Sequence, residues 1–295
     1  MTPMTQPRMS ALKRLRAKRE ATPPRGFPSP APGPSRGEPF ELNAAPGAAR
    51  WIAVAGIGDD AGTTTVAALL SLAYATHRRY RIVAVDAHPV GGALGARIAT
   101  RAAAGVAQIA AAAPDFSSFD ALSTYLDQSA EGMWAVTGAA TTAPEPDQCR
   151  VAVETLSRFF ALGVLDCGPI GPPLVEALLD LTHAHLLVAP ATPEGVLSAA
   201  CALDWLGARR DSADPWHTGV ALVSTSRQPN TDVGWATRLL AGRGGRAIPV
   251  PYDSGLVTGR ISPASVSDGV WAAARRLASE MLSRAARPRT VGWGG

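Results

Sequence analysis

The sequence predicts an α/β protein: a doubly wound, mainly parallel sheet of about seven strands with helices on both faces. Three observations predict it. Short runs rich in Val, Ile, Leu and Ala recur between Trp51 and Asp253. Segments with apolar residues at helical spacing alternate with them along the chain. The first such pair, "VAGIGDDAGTTTVAALL" from Val54 to Leu70, joins strand to helix through a glycine loop.

Each element follows in order. "WIAVAG" (51–56) is a buried strand and "TTTVAALLSLAYATH" (63–77) a helix. "RIVAVDAHP" (81–89) is a second strand, followed by a small-residue loop and a helix through about Asp127. "GMWAVTGA" (132–139) is a strand, and "QCRVAVETLSRFF" (148–160) a helix with Val151, Leu156 and Phe159 at helical spacing. Then come strand 161–169, helix 172–182, strand 184–192, helix 193–210, strand 218–225, helix 232–243, strand 246–253 and a closing helix 267–287. Right-handed crossovers between parallel strands place ligands at the strands' carboxyl ends.

Composition adds an arm to this body. The first 50 residues hold nine Lys+Arg and three Glu, net +6, and residues 51–295 hold 19 Arg and 21 Asp+Glu, net −2. Both lysines of the chain, Lys13 and Lys18, lie in the arm, so no lysine of the body can reach a phosphate. Residues 10–20 predict a short basic helix capped by Ser10, and Thr22–Pro46, with eight prolines, an extended tether. The expected domains are 1–47, basic arm and disordered Pro-rich linker; 48–286, one α/β domain; and 287–295, a flexible tail. No apolar run is long enough to span a bilayer, and "ALKRLRAKRE" lacks a signal peptide's apolar core. The expected compartment is the cytoplasm, with peripheral contact at the inner face of the membrane as an option through the arm. Cys149, Cys167 and Cys201 sit at no metal-ligand spacing and read as small buried residues. The histidines at 77, 183, 185 and 217 read as capping or solvent contacts at element edges.

Asp86 in "VAVDAHP", Asp166 in "GVLDCGP" and Asp253 in "PVPYD" stand where strands end. A phosphate site needs backbone N–H groups at a helix N-terminus, a hydroxyl for Mg²⁺ and a carboxylate for the metal's water shell. Gly58, Gly62, Thr64, Asp86 and Asp166 can supply these groups. Taken with "AHLLVAPATPEGVLSA" and "AIPVPYD", the chain resembles the MinD/ParA-type P-loop ATPases (the deviant Walker A, SIMIBI class) over most of residues 50–285. That family's loop has the form KGGxGKT[ST]. The resemblance implies ATP and Mg²⁺ as cofactors, with Gly58, Gly62, Thr63, Thr64 and Thr65 at the phosphates. It also implies Thr64 and Asp166 at the metal, Asp86 as the catalytic residue that helps order the attacking water, and Pro251 and Asp253 beside the base. Relatives act in partitioning, division-site placement, and secretion or conjugation, as dimers associated with membrane or DNA. The partners this implies are other proteins, a second copy of the chain, and anionic membrane or DNA at residues 8–19.

The chain departs from the pattern at the loop. Thr63 stands where the P-loop lysine belongs, no signature lysine precedes Gly58, and glycines occupy 56 and 58 where spacing from Gly62 asks for one at Ile57. Asp59 and Asp60 put two negative charges beside a polyphosphate, each contact costing on the order of 4 kcal/mol at about 4 Å and an effective dielectric near 20. His88 replaces the second aspartate of Asp-x-Asp, and Ser224 and Ser226 stand where an asparagine for the base is usual. The expectation is a degenerate P-loop on a regulator or scaffold, a pseudo-ATPase. One alternative is a working Mg-ATPase with an arginine replacing the lysine. A second is an NAD-binding oxidoreductase, since "GIGDDA" satisfies G-x-G-x-x-G/A and Asp86 follows at the next strand end.

Overall fold

The computed structural model describes residues 48–287 apart from 59, 78–79, 89–91, 101–103, 139–142, 172, 209–216, 228–230 and 258. The chain divides into two units, Met1–Glu38 and Pro39–Gly295, and every described residue belongs to the second. The predicted arm helix at 10–20, the proline tether, the membrane or DNA contact at residues 8–19, Asp59 and the tail from 288 lie outside the described residues.

The strands are β1 (Arg50–Gly56), β2 (Ile82–Asp86), β3 (Asp127–Gln128), β4 (Trp134–Val136), β5 (Leu162–Pro169), β6 (Ala184–Pro190), β7 (Thr218–Val223) and β8 (Arg246–Val250). The helices are α1 (Thr63–His77), α2 (Leu94–Ile98), α3 (Val106–Ala111), α4 (Phe119–Ser123), α5 (Pro146–Ser157), α6 (Pro173–Leu181), α7 (Pro193–Ala208), α8 (Val233–Ala241) and α9 (Asp268–Ala285). The sheet runs β3-β4-β2-β5-β1-β6-β7-β8 and is parallel except for the β3–β4 pair. The eighth strand, beyond the predicted seven, is this antiparallel edge piece of two residues, too short to leave a periodic signal. Between β2 and β3, where one helix was expected, three short ones stand.

Strand register explains why both faces are apolar. Along β1, Trp51, Ala53 and Ala55 pack into the core beneath α5, α6 and α7, while Ile52 and Val54 pack into the opposite core beneath α1 and α9. Helix α1 is buried along most of its length, from Val66 to Tyr74, and the Tyr74 hydroxyl donates to the Ala278 carbonyl of α9 at 2.8 Å. Trp51 is 1% exposed and its indole N–H donates to the Ser157 hydroxyl at 2.8 Å. Its ring lies where a Cβ on its β5 register partner, Gly163, would sit. Gly163→Ala is therefore expected to destabilise the fold by about 2 kcal/mol, the usual penalty for overpacking a full core. Chemical denaturation measures it, and an unchanged midpoint would contradict this packing.

The histidine and cysteine expectations need correction. His185 and His217 are buried, not edge residues in solvent. His183 Nδ1 accepts the Trp51 backbone N–H at 3.1 Å, and His217 Nδ1 lies 3.1 Å from the carbonyls of His183 and Arg284. At the strands' amino ends each imidazole pairs a backbone group: half-buried His183 an N–H of β1, and buried His185 and His217 carbonyls that include those of Leu179 and Arg284 in the covering helices. Cys149 and Cys167 are buried as expected, but Cys201 is exposed on the outer face of α7. Among the described residues no helix is long and apolar enough to cross a membrane.

Candidate functional site

The chain leaves β1 toward β2 on one face of the sheet and leaves β5 toward β6 on the other, so a crevice opens at the carboxyl ends of β1 and β5. The loop after β1 is pinned there. The Ile57 N–H donates to the Val188 carbonyl of β6 at 2.7 Å, and the Ile170 N–H beyond β5 donates to the Gly56 carbonyl at 2.7 Å. Gly58 (φ +84°) and Gly62 (φ +85°) adopt left-handed backbone, and so does Asp60 (φ +58°). The Val66 N–H closes the first turn of α1 onto the Gly62 carbonyl at 2.9 Å. The helix therefore does not consume the amides of Thr63, Thr64 and Thr65, and its positive end faces the crevice.

The three threonines differ. Thr63 is buried, its hydroxyl turned back over Gly56 into space that any Cβ there would occupy. Thr65 is buried in the first turn. The Thr64 hydroxyl stands beside the Asp166 carboxylate, where it favours the charged form. Asp166 is fully buried within β5; its Oδ1 accepts the Gly168 N–H at 3.4 Å, and its Oδ2 has no partner among the described residues. Burial, reinforced by the Asp86 charge, pushes its carboxyl up to about 7.

Asp86 is the direct register partner of Asp166 on β2. Its Oδ1 accepts the His88 N–H at 3.2 Å and its Oδ2 the Leu94 N–H at 3.3 Å, while Gly92 presses its bare Cα against the carboxylate. Burial also raises this carboxyl, against those two hydrogen bonds. The His88 ring packs on Gly168, close enough that a Cβ there would fall 2.6 Å from Cδ2. Asp86, His88 and Gln148 line a small cavity of about 90 Å³ on this side.

Pro251 and Asp253 lie in a neighbouring pocket of about 700 Å³ at the ends of β7 and β8, with Ser224 and Ser226. A Cβ on Gly62 would sit 3.7 Å from Val223, so loop and pocket adjoin. Asp253 Oδ1 accepts the Gly255 N–H at 2.8 Å and Oδ2 the Ser267 N–H at 2.6 Å. The Ser267 bonds, with that from Gly255, hold its carboxyl below the usual range. The structure thus gathers Gly62, Thr63, Thr64, Thr65, Asp86 and Asp166 at one crevice and sets Pro251 and Asp253 beside it; around Gly58 it leaves open space. Sequence reasoning missed Tyr252, Ser267, Arg227 and Arg276 as pocket residues. Arg276 shares α9 with ordinary surface positions, and no motif marks it.

No family model matches the sequence. A curated relative, the ESX-1 secretion-associated protein EspI of Mycobacterium tuberculosis, is 32% identical over 166 residues, covering 52% of this chain. The match spans 24% of that protein, about a quarter of its length. The ParA family ATPase from Chlorobium tepidum TLS superposes with a TM-score of 0.61 at 14% identity, over 81% of this chain and 96% of its own. The Pyrococcus furiosus cell division ATPase MinD superposes with a TM-score of 0.61 at 18% identity, over 79% and 98%. The fold is that of the MinD/ParA-type P-loop ATPases. A third neighbour of that fold, MinD from Pyrococcus horikoshii OT3 complexed with Mg-ADP, has a TM-score of 0.55 at 15% identity over 81% and 93%.

Within the MinD/ParA-type fold the dinucleotide alternative fails on topology. A Rossmann sheet pairs β1 with β2; here β5 lies between them. Laying KGGxGKT[ST] on Gly62 puts the glycine pair at Asp59 and Asp60, the signature lysine at Gly58 and the P-loop lysine at Thr63. Asp60 keeps the left-handed backbone that a glycine would adopt without strain. The Mg²⁺ groups do fit: a threonine hydroxyl beside a buried carboxylate with one oxygen unclaimed is a donor set for a hydrated hard cation.

Proposed function

We propose that this domain is a nucleotide-binding regulator or scaffold, a pseudo-ATPase built on the MinD/ParA-type fold. The observation that supports it most directly is a buried Asp166 carboxylate with one oxygen unclaimed beside Thr64, together with a loop whose lysine position is a buried threonine. In this reading Thr64 and Asp166 hold Mg²⁺ through its water shell, and the amides of Thr63, Thr64 and Thr65 meet the phosphates. Mg²⁺ would neutralise phosphate charge there. Asp86, held by its own loop through two backbone hydrogen bonds, would help order the water facing the γ-phosphate. Without a cation on the body's loop to meet charge developing on the γ-phosphate, hydrolysis loses the electrostatic term that usually dominates such catalysis.

Thermal denaturation with ATP, ADP, NAD and NADP tests the nucleotide class, since binding stabilises the folded state by mass action without turnover. Stabilisation by ATP or ADP with Mg²⁺, and none by NAD or NADP, is the expected result; stabilisation by NAD alone would contradict the reading.

Its process would be partitioning, division or secretion, carried by protein partners and a second copy. The MinC:MinD cell division complex of Aquifex aeolicus supports a partner-binding role, and the secretion-associated EspI a secretion setting. The basic arm would contribute contact with an anionic surface. The full chain is expected to bind anionic liposomes or duplex DNA at least tenfold more tightly than residues 48–295, with the difference shrinking steeply from low to physiological salt. Co-sedimentation and mobility shift on both chains measure it; equal behaviour would reduce the arm to a solubilising tail.

A further inference from the structure

The pocket beside the loop is built for more than a base. Its roughly 700 Å³ is the size of small-ligand sites generally. Its walls carry two guanidiniums, Arg227 just beyond β7 and Arg276 on α9, together with the hydroxyls of Ser224, Ser226 and Ser267. Arg97, Arg150, Arg243, Arg246, Arg260 and Arg284 all hydrogen-bond protein carbonyls or carboxylates. Arg227 and Arg276, like Arg238 and Arg275 elsewhere on the surface, make neither a hydrogen bond nor an ion pair with any described residue; of these four, only Arg227 and Arg276 line the pocket.

The acid in the pocket, Asp253, is held by the backbone N–H groups of Gly255 and Ser267 and stays ionised, so two guanidiniums face one carboxylate and the lining keeps a net positive charge. Guanidinium is the side chain whose planar fork matches phosphate oxygens. The loop before α1 offers the opposite: Asp60, a buried threonine at the lysine position, and no lysine anywhere in residues 51–295.

Resting on the nucleotide reading above, we propose that this pocket adds a second phosphate contact to the one the loop amides make. The ligand is a phosphorylated nucleoside with a phosphate at Arg227 and Arg276 and its nucleoside against Tyr252, Pro249 and Pro251. The arginines supply affinity that the loop lacks, and the serine hydroxyls orient the phosphate oxygens.

Calorimetric titration of the full chain with ADP and, separately, with inorganic pyrophosphate tests it. The variants are Arg227→Gln with Arg276→Gln, the same pair changed to Lys, and Arg275→Gln, an exposed neighbour on α9 that does not line the pocket. All three arginines are surface residues, so the changes leave the core intact, and a thermal melt of each variant checks this. The expected result is a loss of at least tenfold in affinity for both probes in the Gln pair, partial retention in the Lys pair, and less than a threefold change with Arg275→Gln. ADP binding indifferent to the Arg227 and Arg276 pair, or weakened as much by Arg275→Gln, would overturn this proposal and leave the nucleotide reading standing. Arginine-dependent pyrophosphate binding without ADP binding would keep the anion site and overturn the nucleotide reading. Binding of neither probe would overturn both.

Discussion

Asp166→Asn is expected to be more stable than the unaltered protein at pH 8, by about 2–4 kcal/mol, and to lose that advantage near pH 4. The folded carboxyl titrates at about 7 and the ordinary value is 3.8. A raised folded value means that, between those limits, the folded state holds a proton the unfolded state has released. Stability therefore falls as pH rises through the window, and above about 7 the whole penalty applies. About three pKa units at 1.36 kcal/mol each give roughly 4 kcal/mol, and relaxation around the charge reduces it. Asparagine keeps an oxygen for the Thr64 hydroxyl and cannot ionise. Urea denaturation of both proteins from pH 4 to 8 measures the difference. A parallel pH dependence in the two proteins would show that Asp166 is not the group concerned. Mg²⁺ at millimolar levels should stabilise the unaltered protein at pH 8 and leave the variant unmoved.

The second large effect belongs to the loop. Asp59→Gly with Asp60→Gly and Thr63→Lys is expected to tighten ATP binding at least 100-fold, which is about 3 kcal/mol. Two repelling charges go and one attracting charge arrives, each contact being worth up to about 4 kcal/mol before screening. Asp60 is exposed, so solvent screens much of its share. Glycine also suits the left-handed backbone at position 60. The lysine, unlike Thr63, must leave the space over Gly56 and extend toward the crevice, as its longer stem allows. Filter binding with labelled ATP reads the change. Unchanged affinity in the triple variant would contradict the view that the loop is what weakens this site.

The parallel sheet was legible because its strands are buried on both faces and so read as unbroken apolar runs, "WIAVAG" and "HLLVAP" above all. The edge strand Asp127–Gln128 was not, since two residues carry no period. Asp86 and Asp166 could be placed at one edge of the sheet in advance because parallel strands all end on the same side; that β2 and β5 are direct neighbours, with β3 and β4 between them in the chain, could not. What the chain order hides is orientation. Nothing in "GTTTV" says that the first threonine folds back over Gly56 while the second reaches Asp166. Likewise His88 looked like a substitution in a motif, yet its ring fills the space above Gly168. Arg276 joins the pocket only because α9 returns across the sheet beside β8, a tertiary event with no local signature.

The site is expected to bind nucleotide without turning it over. Equilibrium dialysis of the full chain against ATP and ADP, with and without Mg²⁺, is paired with phosphate release from the same samples. Saturable binding with a dissociation constant of roughly 0.1 mM and no phosphate release above the uncatalysed background is the expected result. Submicromolar ATP binding with steady phosphate release, abolished by Asp166→Asn, would contradict it.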